Sequence, residues 1–386
     1  MKRVGIIGVG LTKFGEYWEK GLRDLIVEAG MKAIKDANVE GRDIDAGYVG
    51  SMSPGLFIGQ EHIGALVADY VGLTGVPATR VEAACASGGL ALRQAYLSIK
   101  AEEHDIVVAG GVEKMTDISI GDATVALSGA GDQEWEAFHG ATFPALYALI
   151  ARRHMKLYGT TEEHLAMVAV KNHENAMHNP NAQYHMPITV KDVMESAPIA
   201  TPLKLLDCSP ISDGAAVVIM ASEKKCDELN AKPIWITGSG QASDTLALHD
   251  RKYPHKSMAT ALAAKTAYRN AGRKPDDMDF AEVHDCFTIA ELLAIEALSF
   301  CEFGEGGKFT QTGETSLKGS IPVNTSGGLK AKGHPVGATG IAQAIEAVLQ
   351  LRGEAGKRQV RGAKVGLTHN VGGSGATAAV HIFEKD

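Results

Sequence analysis

The sequence contains few cysteines and few aromatic residues, and it has no long hydrophobic run. Five cysteines are scattered over 386 residues, and 6% of the residues are aromatic. An odd number of dispersed cysteines does not fit a disulfide framework, so we expect a reducing, cytoplasmic location. No segment reaches the ~18 consecutive apolar residues of a membrane span, and the residues after Met1 lack the apolar run of a signal peptide. We therefore expect no membrane association.

Positive charge is also scarce. The chain has 38 Lys and Arg against 46 Asp and Glu, which gives a net charge of −8. This balance argues against a nucleic-acid-binding protein but still allows local capture of an anionic ligand. With 45% hydrophobic and 22% charged residues, the composition is that of a globular protein. The length suffices for two core layers.

A cysteine among small residues marks the first candidate site. Residues 78–82 have the pattern of a short strand, and residues 89–100 have helical spacing of apolar side chains. Cys85 therefore falls at a strand-to-helix turn, where Ala84, Ala86 and the following Ser-Gly-Gly allow close approach. A helix N-terminus favours a thiolate, which is the nucleophilic form of cysteine. The alternative is that Cys85 is an inert buried thiol, as free cysteines commonly are.

The segment His284-Asp285-Cys286-Phe287 marks a second candidate. A predicted strand at 278–283 delivers it, and a predicted helix begins near Thr288. Parallel-sheet enzymes place their chemistry at such strand ends, where Cys286 and His284 could exchange protons. No nearby Cys-x-x-Cys or second histidine completes a zinc site, so we expect no metal. The alternative is a histidine that only satisfies a strand end.

A glycine-rich turn carries the third candidate, His334. Pro335 disfavours helical geometry at the histidine, so the imidazole is presented before a predicted helix at 341–351. The turn lacks the Gly-Lys-Ser/Thr ending of a phosphate-binding loop. A dinucleotide fingerprint is also absent at Gly8-x-Gly10, because Lys13 occupies the place of the third glycine.

The chain repeats itself at long range. The strand pattern of residues 4–10 recurs at 234–240. A second set recurs after a constant shift of 234 positions, pairing Ala33, Ala37, Asp43, Asp45 and Val49 with Ala267, Ala271, Asp277, Asp279 and Val283. Such a repeat predicts two similar βαβα halves related by a pseudo-twofold axis. Because Cys85 belongs to the first half and the other candidates to the second, we expect a site shared between the halves.

Residues 115–210 differ in amino-acid composition from both halves and are rich in His, Met, Asn and Pro. We interpret them as an insertion in the first half, with helices near 144–157 and 162–179. Five basic side chains of the insertion are candidates for meeting ligand phosphates, although a solvated helix face is the ordinary reading: Arg152, Arg153, Lys156, Lys171 and Lys204.

In this order and spacing, the segments resemble the thiolase family over essentially the whole chain. Thiolases carry a nucleophilic cysteine before a glycine-rich helix start, matched by Cys85, and a Gly-His-Pro motif, matched by His334. The sterol-carrier-protein-type subgroup, with its archaeal acetyl-CoA acetyltransferases, is marked by His-Asp-Cys-Phe, which stands here at 284–287. The Ser-Asp-Gly-Ala-Ala string at 212–216 also matches the family.

The resemblance implies an α/β fold in which the two βαβα halves form a five-layered αβαβα core. Residues 1–114 and 211–222 would form the N-terminal half, residues 115–210 a loop domain on the coenzyme A side, and residues 223–386 the C-terminal half. It also implies coenzyme A thioesters as substrates, with no tightly bound cofactor. The implied activity is reversible condensation of two acetyl-CoA to acetoacetyl-CoA and CoA.

One departure from the family pattern concerns the acid/base thiol. Other thiolases carry a second catalytic cysteine in a Cys-x-Gly motif near the C-terminus, where this chain has His369 and Asn370 before Val371, Gly372 and Gly373. The subgroup resemblance places the acid/base at Cys286, and His369 is the alternative base. His334 with His284 would stabilise the enolate, and N–H groups of Cys85 and of the 371–373 turn would meet the oxyanion.

Two other functions remain open at this point. A ketoacyl synthase or a 3-hydroxy-3-methylglutaryl-CoA synthase also uses a nucleophilic cysteine, and a non-catalytic subunit could bind acyl-CoA or act as a scaffold. The family resemblance further implies at least a homodimer, with the strand before Cys85 as a contact. It also implies association with 3-hydroxy-3-methylglutaryl-CoA synthase through a small zinc-ribbon/OB-fold protein, which would place the reaction first in the mevalonate pathway.

Overall fold

A computed structural model describes residues 2–386 of the chain. Its strands are β1 Val4–Leu11, β2 Ala46–Gly50, β3 Ala78–Val81, β4 Ile106–Glu113, β5 Pro198–Ala200, β6 Leu203–Lys204, β7 Gly214–Ser222, β8 Ile234–Ser243, β9 Phe280–Glu282, β10 Val365–Gly372 and β11 Thr377–Glu384. Its α-helices are α1 Leu22–Ala37, α2 Pro54–Ile58, α3 Ile63–Tyr70, α4 Ser87–Lys100, α5 Ile120–Ser128, α6 Phe143–Tyr158, α7 Glu162–Ala176, α8 Val190–Glu195, α9 Glu223–Glu228, α10 Met258–Ala271, α11 Thr288–Ala297, α12 Gly306–Gln311, α13 Gly328–Lys332 and α14 Thr339–Arg352.

The main sheet confirms the two similar halves. Its nine strands lie in the order β3-β2-β4-β7-β1-β8-β11-β10-β9. Counted outward from the centre, β1, β7, β4 and β2 of the first half correspond to β8, β11, β10 and β9 of the second. The two half-sheets join edge to edge, because Gly5 and Ile6 pair antiparallel with Trp235 and Ile234.

Glycines explain why the opening strand of each half repeats. A Cβ added at Gly10 would lie 2.0 Å from the carbonyl oxygen of Ala29, and one added at Gly240 would lie 2.0 Å from that of Ala263. Each strand can therefore lie against its covering helix, α1 or α10, only where the residue has no side chain.

The repeated aspartates have the same structural role in the two halves. Asp45 accepts hydrogen bonds from the N–H groups of Asp105 and Ile106 at 2.9 and 2.8 Å. Asp279 accepts equivalent bonds from Lys364 and Val365 at 2.7 and 2.9 Å. Each carboxylate thus satisfies donors at the start of the neighbouring strand, β4 or β10.

Helices α4 and α14 lie between the two half-sheets, and α1 and α10 cover the outer faces. The layers therefore follow the predicted αβαβα order. Glycines again allow the close approach, since a Cβ at Gly340 would lie 2.1 Å from the Gly89 nitrogen and one at Gly88 would lie 2.6 Å from the Gly337 oxygen. The N-termini of α4 and α14 consequently meet, and Cys85 and His334 lie in the turns that lead into them.

The stretch 115–210 contains α5 to α8 and the small hairpin β5–β6. Its helices α6 and α7 pack on α11 of the second half through a shared apolar cluster that includes Tyr147, Ile150, Leu165, Leu292 and Leu293. This stretch therefore reaches the strand end that carries His284 and Cys286. None of the helices between residues 2 and 386 combines the length and apolarity that a membrane crossing requires.

Candidate active site

The turn that presents Cys85 has a left-handed backbone. Ala84 has φ of +52°, a conformation that is uncommon for a residue with a side chain. Ser87 holds the turn, because its Oγ accepts a hydrogen bond from the Ala83 N–H at 2.9 Å and donates to the Ala84 carbonyl at 2.6 Å. The thiol of Cys85 is thereby half-buried and directed into a cavity.

Asn370 connects this turn to the second half of the molecule. Its Oδ1 accepts from the Gly89 N–H at 3.0 Å, which fixes the orientation of the amide. Its Nδ2 then donates to the Cys85 carbonyl at 3.0 Å and to Nδ1 of His284 at 3.1 Å. Both N–H bonds of the NH₂ group are therefore used, one to hold the backbone of the nucleophile and one to hold the His284 ring.

The hydrogen bonds of His334 define its tautomer. Its backbone N–H donates to Ser212 Oγ at 2.9 Å, which ties the Gly-His-Pro turn to the loop before β7. Nδ1 lies 2.7 Å from Thr339 Oγ1, and the Thr339 hydroxyl donates to the Pro335 carbonyl at 3.0 Å. Nδ1 must therefore donate, which leaves a lone pair on Nε2. His334 is presented as a base.

His284 is held in the opposite tautomer. Because Asn370 donates to its Nδ1, the ring proton resides on Nε2. The rings of His284 and His334 are perpendicular, with centroids 5.0 Å apart, and neither Nε2 has a hydrogen-bond partner among residues 2–386. Cys85 Sγ and one nitrogen of each ring all lie within 4.8 Å of one another. The cluster thus offers a nucleophile, a base and a hydrogen-bond donor.

The same three groups are close enough to suggest a metal site. A metal needs a lone pair from each histidine, but the Nε2 of His284 carries a proton while Asn370 occupies its Nδ1. The donor set therefore fits proton transfer and hydrogen bonding better than metal ligation.

The electrostatics correct one expectation about Cys85. Burial raises the pKa of its thiol to about 12, although the N–H groups of Gly373 and of Cys85 itself lower it. Burial also lowers the pKa of His334 to about 3. The resting pair is therefore a neutral thiol and a neutral imidazole. The prediction of a resting thiolate was wrong, because loss of solvent outweighs the helix N-terminus.

Cys286 lines the same cavity as Cys85 and His334, as predicted. Burial, followed by the nearby Cys85 sulfur, raises the pKa of its thiol, while a hydrogen bond between it and the Tyr147 hydroxyl lowers it. The neighbouring Asp285 is structural. Its carboxylate accepts hydrogen bonds from the N–H groups of Leu329 and Lys330 and so holds α13 in place.

His369 lies behind His284 and not in the cavity with the thiols. Its Nε2 is 2.8 Å from Thr260 Oγ1, and its Nδ1 accepts from the His284 backbone N–H at 3.4 Å. Both nitrogens are thus engaged, which argues against the alternative base. His369 supports the backbone of His284 instead.

The predicted oxyanion turn divides between two cavities. Gly373 lines the cavity of Cys85, and its N–H hydrogen-bonds the sulfur. Val371 faces the smaller cavity behind His284, and Gly372 is packed so closely that an added Cβ would lie 2.3 Å from the Ala83 oxygen. Within the predicted turn, Gly373 supplies the N–H group that faces the reacting sulfur.

The cavity beside Cys85 has a volume of about 350 Å³. Its walls are mostly apolar and are formed by Met115, Leu127, Phe143, Tyr147, Ile199, Pro210, Ile211, Phe287 and Val336 together with the catalytic candidates. An apolar pocket with a few convergent polar groups is the usual form of a small-molecule site.

The basic candidates of the insertion do not line this cavity. Arg152, Arg153 and Lys156 are exposed on α6. Lys204 forms an ion pair with Glu162. The prediction for Lys171 was wrong, because its ammonium group is buried, pairs with a carboxylate at 2.9 Å and donates to the Val323 carbonyl at 2.7 Å.

Three residues of the site were not identified from the sequence. They are Asn370, which holds Cys85 and His284, Tyr147, which lines the cavity, and Glu113. Glu113 is buried and accepts hydrogen bonds from the N–H groups of Met52 at 2.7 Å and Gly337 at 3.1 Å. It therefore braces the turn that follows His334, and burial raises the pKa of its carboxyl to about 7. The nearest sequence signal was the position of Asn370 beside the glycine turn.

Two family models match consecutive parts of the chain. The one described as thiolase, N-terminal domain matches residues 4–224, and the one described as thiolase C-terminal domain-like matches residues 240–385. An acetyl-CoA acetyltransferase from Methanothermobacter thermautotrophicus is 60% identical and aligns over 100% of both chains. One from Methanocaldococcus jannaschii is 52% identical over 99% of both. Sterol carrier protein 2 from Bos taurus is 37% identical, over 97% of this chain and 71% of that one.

Solved structures with the same fold include the Ltp2-ChsH2(DUF35) aldolase. It is 27% identical, with a TM-score of 0.87, over 100% of this chain and 98% of that chain. Human mitochondrial 3-ketoacyl-CoA thiolase in complex with CoA aligns with a TM-score of 0.76 over the same fractions. At 19% identity, the second likeness shows the fold alone.

Proposed function

Because this chain belongs to the thiolase family, we propose that it condenses two molecules of acetyl-CoA to acetoacetyl-CoA and CoA, with the acetyl group carried on Cys85. The observation that carries the proposal is the cluster of Cys85 with two histidines of opposite tautomer. The full-length archaeal relatives named acetyl-CoA acetyltransferase support the choice of substrate.

In the first step, the Cys85 proton passes to Nε2 of His334 as the sulfur attacks the acetyl thioester. The carbonyl oxygen develops negative charge and receives hydrogen bonds from the N–H groups of Cys85 and Gly373. The C–S bond to CoA breaks, and Cys286 gives its proton to the leaving thiolate. The site then holds acetyl-Cys85, a His334 imidazolium and a Cys286 thiolate, so its net charge is unchanged.

In the second step, the Cys286 thiolate removes a proton from the methyl carbon of a second acetyl-CoA. The enolate oxygen receives hydrogen bonds from the His334 imidazolium and from Nε2–H of His284. The carbanion attacks acetyl-Cys85, the C–S bond to Cys85 breaks, and His334 returns the proton to the released thiolate. All groups regain their starting protonation states, and the same groups support the reverse cleavage.

A product assay tests this function against its alternatives. The enzyme supplied with acetyl-CoA alone should form acetoacetyl-CoA, whereas a ketoacyl synthase or 3-hydroxy-3-methylglutaryl-CoA synthase requires a different co-substrate, and a scaffold subunit forms no product.

Cys85→Ala and Cys286→Ala should each lose turnover by at least about 10³-fold. Cys301→Ala, which removes a half-buried thiol outside the cavity, is the matched control. Full activity of Cys286→Ala would assign the base elsewhere.

We also propose how the substrate is held. Residues 115–210 would form a loop domain on the coenzyme A side, inserted in the N-terminal half (1–114 and 211–222), and residues 223–386 would form the C-terminal half. The exposed Arg152, Arg153 and Lys156 are candidates for the phosphates of CoA, because they lie on a helix whose other face reaches the cavity. Their joint replacement by Gln should raise the KM for acetyl-CoA and leave kcat unchanged.

The proposed assembly is a cytoplasmic homodimer. Strand β3 lies at the edge of the sheet, so one side of its backbone is available to pair with a second copy. The aldolase with the same fold is named as a complex with a DUF35 protein. By analogy, a small zinc-ribbon/OB-fold protein would connect this chain to 3-hydroxy-3-methylglutaryl-CoA synthase, at the start of the mevalonate pathway. Gentle co-purification from the native cell tests this, and recovery of the dimer alone would count against it.

A further inference from the structure

Tyr147 separates the active-site cavity from a second, smaller cavity. The smaller one has a volume of about 20 Å³ and lies behind His284. Its walls are mixed. Ile150, Leu293 and Ala294 are apolar, whereas Arg251, Lys256, Ser257, His284, His369 and Ser374 are polar or charged. Among residues 2–386, Tyr147 alone lines both cavities. Its aromatic ring therefore forms the partition between them.

Several contacts hold this partition in place. The Tyr147 hydroxyl donates to the Gly373 carbonyl at 3.2 Å and is hydrogen-bonded to the Cys286 thiol. Its ring packs on Phe287, with centroids 4.6 Å apart, and the residue is 3% exposed. A buried ring fixed at both its edge and its face cannot move aside without breaking these contacts.

We propose that Tyr147 determines the acyl-chain specificity of the enzyme by closing the space beyond Cys85 and Cys286, so that Cys85 carries a two-carbon acyl group efficiently and longer chains poorly. The proposal rests on the proposed function. The open part of the 350 Å³ cavity has to receive the thioester arm of the substrate, so a longer acyl chain would have to extend past Tyr147. The space beyond it, about 20 Å³, has room for about one water-sized group while the Tyr147 ring is in place. Removal of the ring would let additional methylene groups contact Ile150, Leu293 and Ala294.

The experiment measures the rate at which Cys85 is acylated by acetyl-, butanoyl- and hexanoyl-CoA, followed by intact mass. The wild-type enzyme should load hexanoyl at least about tenfold more slowly than acetyl. Tyr147→Ala joins the two cavities and should reverse this preference, while Tyr147→Phe keeps the partition and the preference. Phe143→Ala is the matched control, because Phe143 lines the active-site cavity but not the smaller one.

If Tyr147→Ala fails to fold, Tyr147→Leu provides the test, since it retains an apolar side chain. It should shift the preference in the same direction. Equal loading of acetyl and hexanoyl by the wild type would overturn the specificity proposal and leave the proposed function standing. So would unchanged preference in folded Tyr147→Leu, or an equal gain in Phe143→Ala. Absence of any adduct with every donor would instead count against the proposed function.

Discussion

Asn370 shows how a single side chain can set the geometry of both catalytic partners. Its amide accepts from the start of α4 and donates to the Cys85 carbonyl and to His284. The first two contacts hold the nucleophile's turn, and the third keeps the proton of His284 on Nε2. Asn370 is therefore a positioning residue that acts through Cys85 and His284.

Replacement of Asn370 by Ala should lower kcat by about 100-fold, because the hydrogen-bond donor at His284 is no longer fixed. The KM for acetyl-CoA should change little, since Asn370 does not line the cavity. Steady-state kinetics measure this split. Asn175→Ala is the matched control, because Asn175 is a buried amide on α7 that donates to the Asn324 carbonyl at 3.0 Å, away from the site. Both variants should lose about 1–3 kcal/mol of stability, and a similar loss of kcat in both would contradict the positioning role.

At the residue scale, the identities of the reactive groups could be predicted from the sequence better than their protonation states. Cys85, His284, Cys286 and His334 do converge on one cluster or cavity. The neutral resting state of Cys85 could not be predicted, because it depends on how much solvent the assembled cavity excludes. Asn370 could not be identified because its partners Gly89, Cys85 and His284 lie 281, 285 and 86 positions away along the chain.

At the scale of elements, close packing of strand on helix depends on a few glycines. Gly10 lies in β1 where α1 crosses it, and an added Cβ would also lie 2.5 Å from the Ala33 nitrogen. Gly30 lies within α1 itself, where an added Cβ meets nothing within 4 Å among the described residues. Helix α1 therefore packs against Gly10, which leaves no room for a side chain, and contains Gly30, which does leave room.

Gly10→Ala should destabilise the protein by about 1–3 kcal/mol, because backbone atoms must shift to admit a methyl group. Gly30→Ala should stabilise it by about 0.5–1 kcal/mol, since alanine is the better helix former and finds open space. Urea denaturation of the two variants beside the wild type measures both effects. Equal effects of the two substitutions would contradict the close-packing account.

The long-range repeat allowed the paired elements of the halves to be predicted from sequence. It identified β1 with β8 and α1 with α10, because the glycines and aspartates recur for the same packing and hydrogen-bonding reasons. The edge pairing of β1 with β8 was not predictable, since it spans two residue pairs and depends on how the halves meet. A counterpart of β3 in the second half was not predictable either, because at that position Val323 forms only an isolated bridge with Ala281.

At the scale of the whole molecule, many ionisable side chains are buried between and within the halves. Burial lowers the pKa of six histidines, which are His173, His255, His284, His334, His369 and His381. It raises the pKa of four carboxyls, which are Glu113, Asp207, Glu282 and Asp285. A histidine with lowered pKa contributes stability above its unfolded pKa that is lost as pH falls. A carboxyl with raised pKa contributes stability at low pH that is lost as pH rises.

These opposing groups predict a two-part acid profile. Between pH 6.5 and about 4.5 the gains at the four carboxyls offset part of the losses at the six histidines, so stability should fall only gently. Below about 4.5 the carboxyls are protonated in both states, while histidines with pKa values of about 3 still resist protonation, so stability should fall steeply. Urea midpoints at successive pH values measure the profile. His369→Gln, which removes one of the histidines with a pKa of about 3, should make the lower part shallower, and a midpoint that rises below pH 4.5 would contradict the account.

The most direct test of the central claim is the mass of the enzyme during turnover. Intact-mass measurement after rapid mixing with acetyl-CoA should show a population heavier by one acetyl group, and peptide mapping should place that group on Cys85. The Cys85→Ala enzyme should show neither adduct nor acetoacetyl-CoA. Product formation without any acetylated enzyme, or an active Cys85→Ala variant, would contradict the account.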